Sequence, residues 1–227
     1  NVVTEGGENM KIKKLLLVMV MALTLCACGE KKEQVVSLPK PEDSGVLGVD
    51  ANVNVENIDK YLGREDAVYR DMRMLIDPAA YENIEGDAYL SGFVEGFEVV
   101  PLPYLVNVTG LPEAVGDTYK GKTLFTVDDE GKYVANYEES MDVLEYLFPK
   151  DKTIFLMCGG GGYAGMTKTM LVSLGWDEEK IYNTGGYWYY EGENNVIVKN
   201  DSHKEVTYDF WKVAYHDIDF EQLHEVK

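Results

Sequence analysis

The chain has 227 residues, 40 acidic and 21 basic, for a formal charge of −19; 27% are charged and 45% hydrophobic. That mixture excludes a wholly disordered chain and supplies enough apolar material to bury a core in one domain or two small ones. The acidity, with no cluster of Lys and Arg beyond the N-terminus, excludes nucleic acid as an expected partner, and three cysteines (Cys26, Cys28, Cys158) cannot form a disulfide framework.

Met10 opens a basic stretch with Lys11, Lys13 and Lys14, followed by an apolar run of 11 residues from Leu15 to Leu25. A membrane span needs about 20 apolar residues, so the run reads as the core of an export signal. Residues 1–9 read as an extension upstream of that signal. The run ends Leu25-Cys26-Ala27-Cys28-Gly29, which resembles a bacterial lipobox. The resemblance implies cleavage before Cys28, lipidation of its sulfur, and a lipid anchor holding the body on the extracytoplasmic face of the cell membrane. Residues 1–27 carry two Glu and three Lys, a net +1, so the remaining body would carry −20. Cys158 is then the only free thiol, either buried and inert or kept for its chemistry.

Residues 28–52, rich in Lys, Glu, Pro, Ser and Gly, read as a flexible tether. Asn54 is expected to cap a short helix through Leu62, stopped by Gly63. Ala67–Tyr69 reads as a strand leading into Asp71-Met72-Arg73. Pro78 to Ile84 suits a helix, and Phe97–Leu102 reads as a strand stopped by Pro101 and Pro103. Thr123–Val127 and Lys132–Asn136 flank Asp128-Asp-Glu-Gly131 as a hairpin. Ser140–Phe148 fits a helix closed by Pro149. Thr153–Met157 is an unbroken apolar strand of the kind buried on both faces of a parallel sheet. A helix from about Ala164 to Leu174, stopped by Gly175, and a short strand Ile181–Asn183 complete a βαβ unit, so the class is α/β with a central, mostly parallel sheet. Residues 196–220 read as extra strands or an extended wrap.

Cys158 stands at the C-terminal end of the apolar strand, where open α/β sheets bind ligands. Gly159, Gly160, Gly161 and Gly162 follow, then Tyr163 and Ala164 at the start of the helix. Glycines allow a loop to curl with successive N–H groups inward, and the helix start adds positive potential. Such a nest is expected to lower the thiol pKa and to stabilise a thiolate or persulfide anion. The competing reading is a glycine-rich turn with an inert buried cysteine.

The chain resembles the rhodanese family over roughly Val55 to Glu191. The resemblance rests on Asp71-Met72-Arg73 after an early strand, on Gly92-Phe-Val-Glu-Gly96 before Val100-Pro101-Leu102, on Asp151 through Cys158 to Leu174-Gly175-Trp176, and on Ile181 to Gly185-Gly186-Tyr187-Trp188. It implies a three-layer rhodanese-like fold over residues 53–192, with a hairpin insertion at about 106–136 and a C-terminal extension at 193–227. It implies sulfur transfer by Cys158 as catalytic nucleophile and persulfide carrier, the loop amides of Gly159 to Ala164 cradling the sulfur and Asp71 and Arg73 in support. The partners would be a small sulfur donor and a thiol acceptor, or a protein; no cofactor and no metal are expected.

The sequence departs from the family at the loop. Tyr163 stands where active members commonly carry Arg, and a body near −20 repels a dianion such as thiosulfate, within the 8 to 10 Å or so that salt leaves unscreened. This supports a second reading, a catalytically weak binding or sensing module of the same fold. His203, His216 and His224 lack metal-ligand spacing, Asp128-Asp-Glu-Gly131 lacks the further ligands of a calcium loop, and Tyr187-Trp-Tyr-Tyr190 reads as core and rim packing.

Overall fold

The computed structural model describes residues 36–77, 79, 81, 85–107, 119–198 and 213–227. The expected signal segment, with Cys26 and the expected lipidation site Cys28, lies outside them. In chain order the strands are β1 (Asp43–Ser44), β2 (Val49–Asp50), β3 (Ala67–Asp71), β4 (Gly92–Val94), β5 (Glu98–Val99), β6 (Phe125–Val127), β7 (Tyr133–Ala135), β8 (Thr153–Cys158), β9 (Ile181–Gly186) and β10 (Asn195–Ile197). The helices are α1 (Leu102–Leu105), α2 (Ser140–Leu147) and α3 (Gly162–Ser173), with 3-10 turns at Ile58–Tyr61, Glu178–Lys180, Tyr187–Tyr189 and Phe220–Gln222.

The apolar run of β8 explains the centre of the fold. β8 lies in a four-stranded parallel sheet ordered β5-β3-β8-β9, pairing Ala67 with Thr153 through Asp71 with Met157 on one side and Ile154 with Ile181 on the other. Its side chains alternate between two buried faces. Ile154, Leu156 and Cys158 join a core with Leu102 and Leu105 of α1, Leu144 and Leu147 of α2, and Ala164, Met170 and Leu171 of α3. Phe155 and Met157 join the opposite core with Val53, Ile58, Tyr61, Tyr69, Phe97, Tyr182 and Tyr190. This is an α/β architecture whose central strand has no solvent face, as a run without polar interruption requires. The second face is covered by the Ile58–Tyr61 turn and extended chain rather than by α-helices.

On that second face Tyr69, Phe155 and Tyr182 stack across three strands, with centroids 5.1 Å apart at each step. Complete burial of one such ring is worth about 1.5–3 kcal/mol. The two outer hydroxyls then tie down the N-terminal segment: Tyr69 Oη donates to the carbonyl of Tyr61 and Tyr182 Oη to that of Pro39. Asp50, wholly buried, accepts from the amides of Glu42, Asn52 and Val53. The tether expected over 28–52 is therefore corrected over 36–52, where β1 and β2 form an antiparallel hairpin and β2 packs beside β9. Its anchors are main-chain carbonyls and one buried carboxylate, which hydropathy does not register.

Other elements follow the expected chemistry. α3 ends in a Schellman motif: Gly175, at φ +99°, lets Trp176 N–H reach Leu171 O and Gly175 N–H reach Val172 O. Trp176 Nε1 then donates to Phe148 O at 2.7 Å, fixing α3 against the end of α2. The hairpin forms as β6 and β7, with Gly131 in its turn at φ +80°. Its neighbour in space is the C-terminal tail, where Tyr137 bridges Glu225 and Val226 N–H donates to Asn136 O. β10 pairs with β4 antiparallel, and Tyr215 bridges Val99 in parallel.

Three expectations change. The helix from Asn54 to Leu62 shrinks to the turn Ile58–Tyr61, because Asn54 and Asn57 bond local backbone instead of solvent. The strand expected over Phe97–Leu102 covers only Glu98–Val99; Pro101 and Pro103 open α1, where the missing N–H groups need no partner. The helix expected over Pro78 to Ile84 falls mostly outside the described residues, and Ala79 and Tyr81 are not helical.

Candidate functional site

Three adjacent parallel strands deliver side chains to one edge of the sheet. β3 ends in Asp71, with Met72 and Arg73 next; β8 ends in Cys158; and β9 ends in Gly186, with Tyr187 and Trp188 next. Cys158 pairs with Gly186 across a register irregularity between Leu156 and Cys158. The irregularity turns the cysteine loop toward β9, where a side chain on residue 186 would sit 2.1 Å from Gly159 O. Loop and strand end meet main chain to main chain because residue 186 is glycine.

The loop then curls back on the sulfur. Gly161, at φ +98°, occupies the left-handed region that favours glycine, and its N–H donates to Cys158 Sγ at 3.0 Å. The amides of Ala164 and Tyr163 also act on the sulfur and favour its anionic form. Asn183 fixes the curl, with Nδ2 donating to Gly161 O at 3.1 Å and to Leu47 O at 2.9 Å. Of the amides in the 159–164 segment, that of Gly161 is hydrogen-bonded to the sulfur, and those of Tyr163 and Ala164, at the start of α3, favour its anion.

The thiol itself is less acidic than the sequence suggests, and this corrects the expected low pKa. Cys158 is 3% exposed. Burial pushes its pKa up, the amides of Ala164, Gly161 and Tyr163 pull it down, Asp71 pushes it up, and the net direction is up. Desolvation of an anion outweighs amide donors that carry only partial charge.

Asp71 and Arg73 form a buried fork. Arg73 Nε donates to Asp71 Oδ1 at 2.9 Å, and Nη2 to Asp71 Oδ2 at 2.5 Å and to Gly92 O at 2.7 Å. The guanidinium lies over the Tyr187 ring, 4.5 Å from its centroid. Burial disfavours the arginine's charge, but Asp71 and, to a smaller degree, Cys158 and Tyr187 raise its pKa above the ordinary value. The loop has no cation of its own; Arg73 stands on the neighbouring strand end, its charge committed to Asp71.

Sequence reasoning missed two parts of the site. Trp188 lies over the loop: a Cβ on Gly159 or on Gly86 would each come within 2.5 Å of its six-membered ring. Tyr81 meets the ring edge-on at 5.1 Å. The Gly185-Gly186-aromatic signature marked this segment, but packing beneath the sheet was the expected role. The second part is Asp77, buried, accepting from Tyr81 Oη at 2.9 Å and from Tyr163 Oη at 3.4 Å. Burial raises its pKa against the opposing pull of the Ala79 amide and the two tyrosines. No sequence signal isolates Asp77 from the other acidic residues. Tyr163 thus contributes its amide to the sulfur and its hydroxyl to a carboxyl group.

Among the described residues no group of three or more His, Cys, Asp or Glu is arranged to hold a metal ion, and no helix is long and apolar enough to cross a membrane. Comparison with family models, curated proteins and solved structures finds no match to this chain.

Proposed function

We propose that the chain is a membrane-anchored, rhodanese-like sulfurtransferase that carries sulfur as a persulfide on Cys158. The observation that carries the reading is the Gly161 N–H donated to Cys158 Sγ at 3.0 Å by a glycine loop that opens a helix at a strand end, with the Tyr163 and Ala164 amides also favouring the anion. A nest of main-chain donors has no use beside an inert apolar thiol; it favours an anion. In the reaction, Cys158 as thiolate attacks the outer sulfur of a donor R–S–SH. An Sγ–S bond forms, the donor S–S bond breaks, and R–S⁻ leaves with the electron pair and takes up the thiol proton. An acceptor thiolate then attacks the outer sulfur, forms the new persulfide and restores Cys158. Cys158 is 3% exposed, so the side chains that cover it must move for the donor to reach the sulfur.

Intact mass after incubation with several sulfur donors tests this. The expected result is the mass of one added sulfur, located on Cys158 and absent from Cys158→Ser. No addition from any donor would overturn it. The anchor has its own test: radiolabelled fatty acid is expected on the exported chain and is lost with Cys28→Ser.

One observation favours a second reading, a binding or sensing module with the catalytic step quiet: the thiol is closed in and its acidity suppressed. The hairpin β6–β7 and the tail paired beside it would then supply the contact surface for a protein partner. This reading expects Cys158→Ser to keep the biological role of the protein, and the sulfurtransferase reading expects its loss.

A further inference from the structure

We infer that the β1–β2 hairpin is a positioning element for the cysteine loop, acting through Asn183 to hold Gly161 where its N–H meets Cys158 Sγ. The inference rests on the sulfur-carrier reading for the reaction that this positioning serves; the positioning itself stands on separate observations.

Asn183 lies on β9, wholly buried, and its side-chain amide is fully engaged. Oδ1 accepts from Gly185 N–H at 3.0 Å. Nδ2 donates to carbonyls of two different segments, Gly161 O at 3.1 Å and Leu47 O at 2.9 Å. A buried amide is costly unless its groups are paired, and an apolar side chain would serve packing alone. What Asn183 adds is registry, because one nitrogen ties the tip of the hairpin to the residue that turns the loop. Gly161 O also accepts from Gly165 N–H at 3.0 Å. Gly161 is thus pinned at its carbonyl from both α3 and β9, while its own N–H points at the sulfur.

The hairpin bears on the same place through three further contacts. Val49 lies against Gly161 and Gly185, at φ +98° and +96°; a Cβ on Gly161 would meet Val49 Cγ2 at 3.0 Å, and one on Gly185 would meet Cγ1 at 3.3 Å. Leu47 O passes close to Gly165, near the start of α3, where a Cβ would come within 2.3 Å of it and 3.2 Å of Asn183 Nδ2. Asp43 of β1 pairs with Lys168, about one turn further along α3 and 5% exposed. The hairpin is therefore fastened to the helix whose first amides favour the thiolate. Yet neither Leu47 nor Val49 belongs to the core that removes water from Cys158. Moving the hairpin alters the donor without opening that core, and this fixes the sign of the test.

Gly165→Ala sets a methyl against Leu47 O, and Val49→Ala removes the contact with Gly161 and Gly185. Both are read in the purified full chain by iodoacetamide modification of Cys158 across pH, with far-UV circular dichroism confirming the fold. Losing one hydrogen bond to an anion is expected to move the rising limb of the Gly165→Ala profile to higher pH by about one unit. Val49→Ala is expected to move it the same way by less, and it decides alone if Gly165→Ala does not fold. An unmoved profile, or a shift toward that of a free cysteine, in either folded variant would overturn the inference, since a packing role alone predicts one of these. Sulfur addition to Cys158, followed by intact mass, is expected to slow in step. A parent chain that takes up no sulfur removes the sulfur-carrier reading, and the alkylation profiles still judge the hairpin.

Discussion

Replacing Gly186 with alanine tests whether the cysteine loop is held by direct contact of main chain with main chain. The added Cβ would lie 2.1 Å from Gly159 O and 2.5 Å from Gly160 Cα. An ordinary carbon–oxygen approach is roughly 3.3 Å or more, so the overlap exceeds about 1 Å. Both atoms met are backbone, and no rotamer change relieves them. Gly186 itself has φ −122° and ψ 132°, conformations open to any residue, so the whole penalty is steric. Overpacking of this kind costs about 1–3 kcal/mol, and a rigid obstacle puts the expectation at the upper end. Gly160 supplies the comparison within the same loop. A Cβ there meets Trp188 no closer than 3.4 Å, and Gly160→Ala is expected to stay within about 0.5 kcal/mol of the parent. Urea unfolding followed by far-UV circular dichroism reads both. Equal midpoints for Gly186→Ala and the parent would refute the geometry assigned to the loop.

Three other outcomes are expected. Iodoacetamide should modify Cys158 more slowly at neutral pH than it modifies a free cysteine, with the rate still rising beyond the usual thiol range, since burial raises the pKa; a plateau below that range, read by mass spectrometry across pH, would contradict this. Asp71→Asn leaves Arg73 buried without its charge partner and should destabilise the fold by about 3–5 kcal/mol in urea unfolding, whereas a fully exposed fork would lose less than 1. Asp77 has a folded pKa above its unfolded value, so its contribution is fully present below the unfolded pKa, near 4, and is lost as pH rises through the folded one. Asp77→Asn should remove that part of the fall in stability with rising pH, and parallel parent and variant curves across the window would count against it.

How much of this was legible in the sequence depends on which force positions each element. The βαβ unit was readable because the run Thr153–Met157 and the stop at Gly175 are local patterns with one structural solution each. The hairpin at Asp128–Gly131 was readable for the same reason, its turn chemistry being contained in four residues. The N-terminal hairpin was not, since what fixes it is carbonyls offered to Tyr182 and Asn183, more than a hundred residues away. Pro101 and Pro103 carry a local signal that permits two outcomes, a strand stop or a helix start, and burial of Leu102 and Leu105 decides between them.

The acidity of Cys158 shows the same division inside a single side chain. Its favourable part, the inward amides, is a property of glycines that stand next to it in sequence, and so it could be anticipated. Its unfavourable part comes from what removes water: the core formed with α1, α2 and α3, together with Asp71 from the neighbouring strand. These partners are distant in sequence and set the sign of the shift. The supporting donors belong to the main chain and stay in place whenever the loop is folded. The sign of the shift is therefore set by the packing of the core against the strand end, because the amide geometry is fixed by the loop while the exclusion of water is fixed by elements distant in sequence.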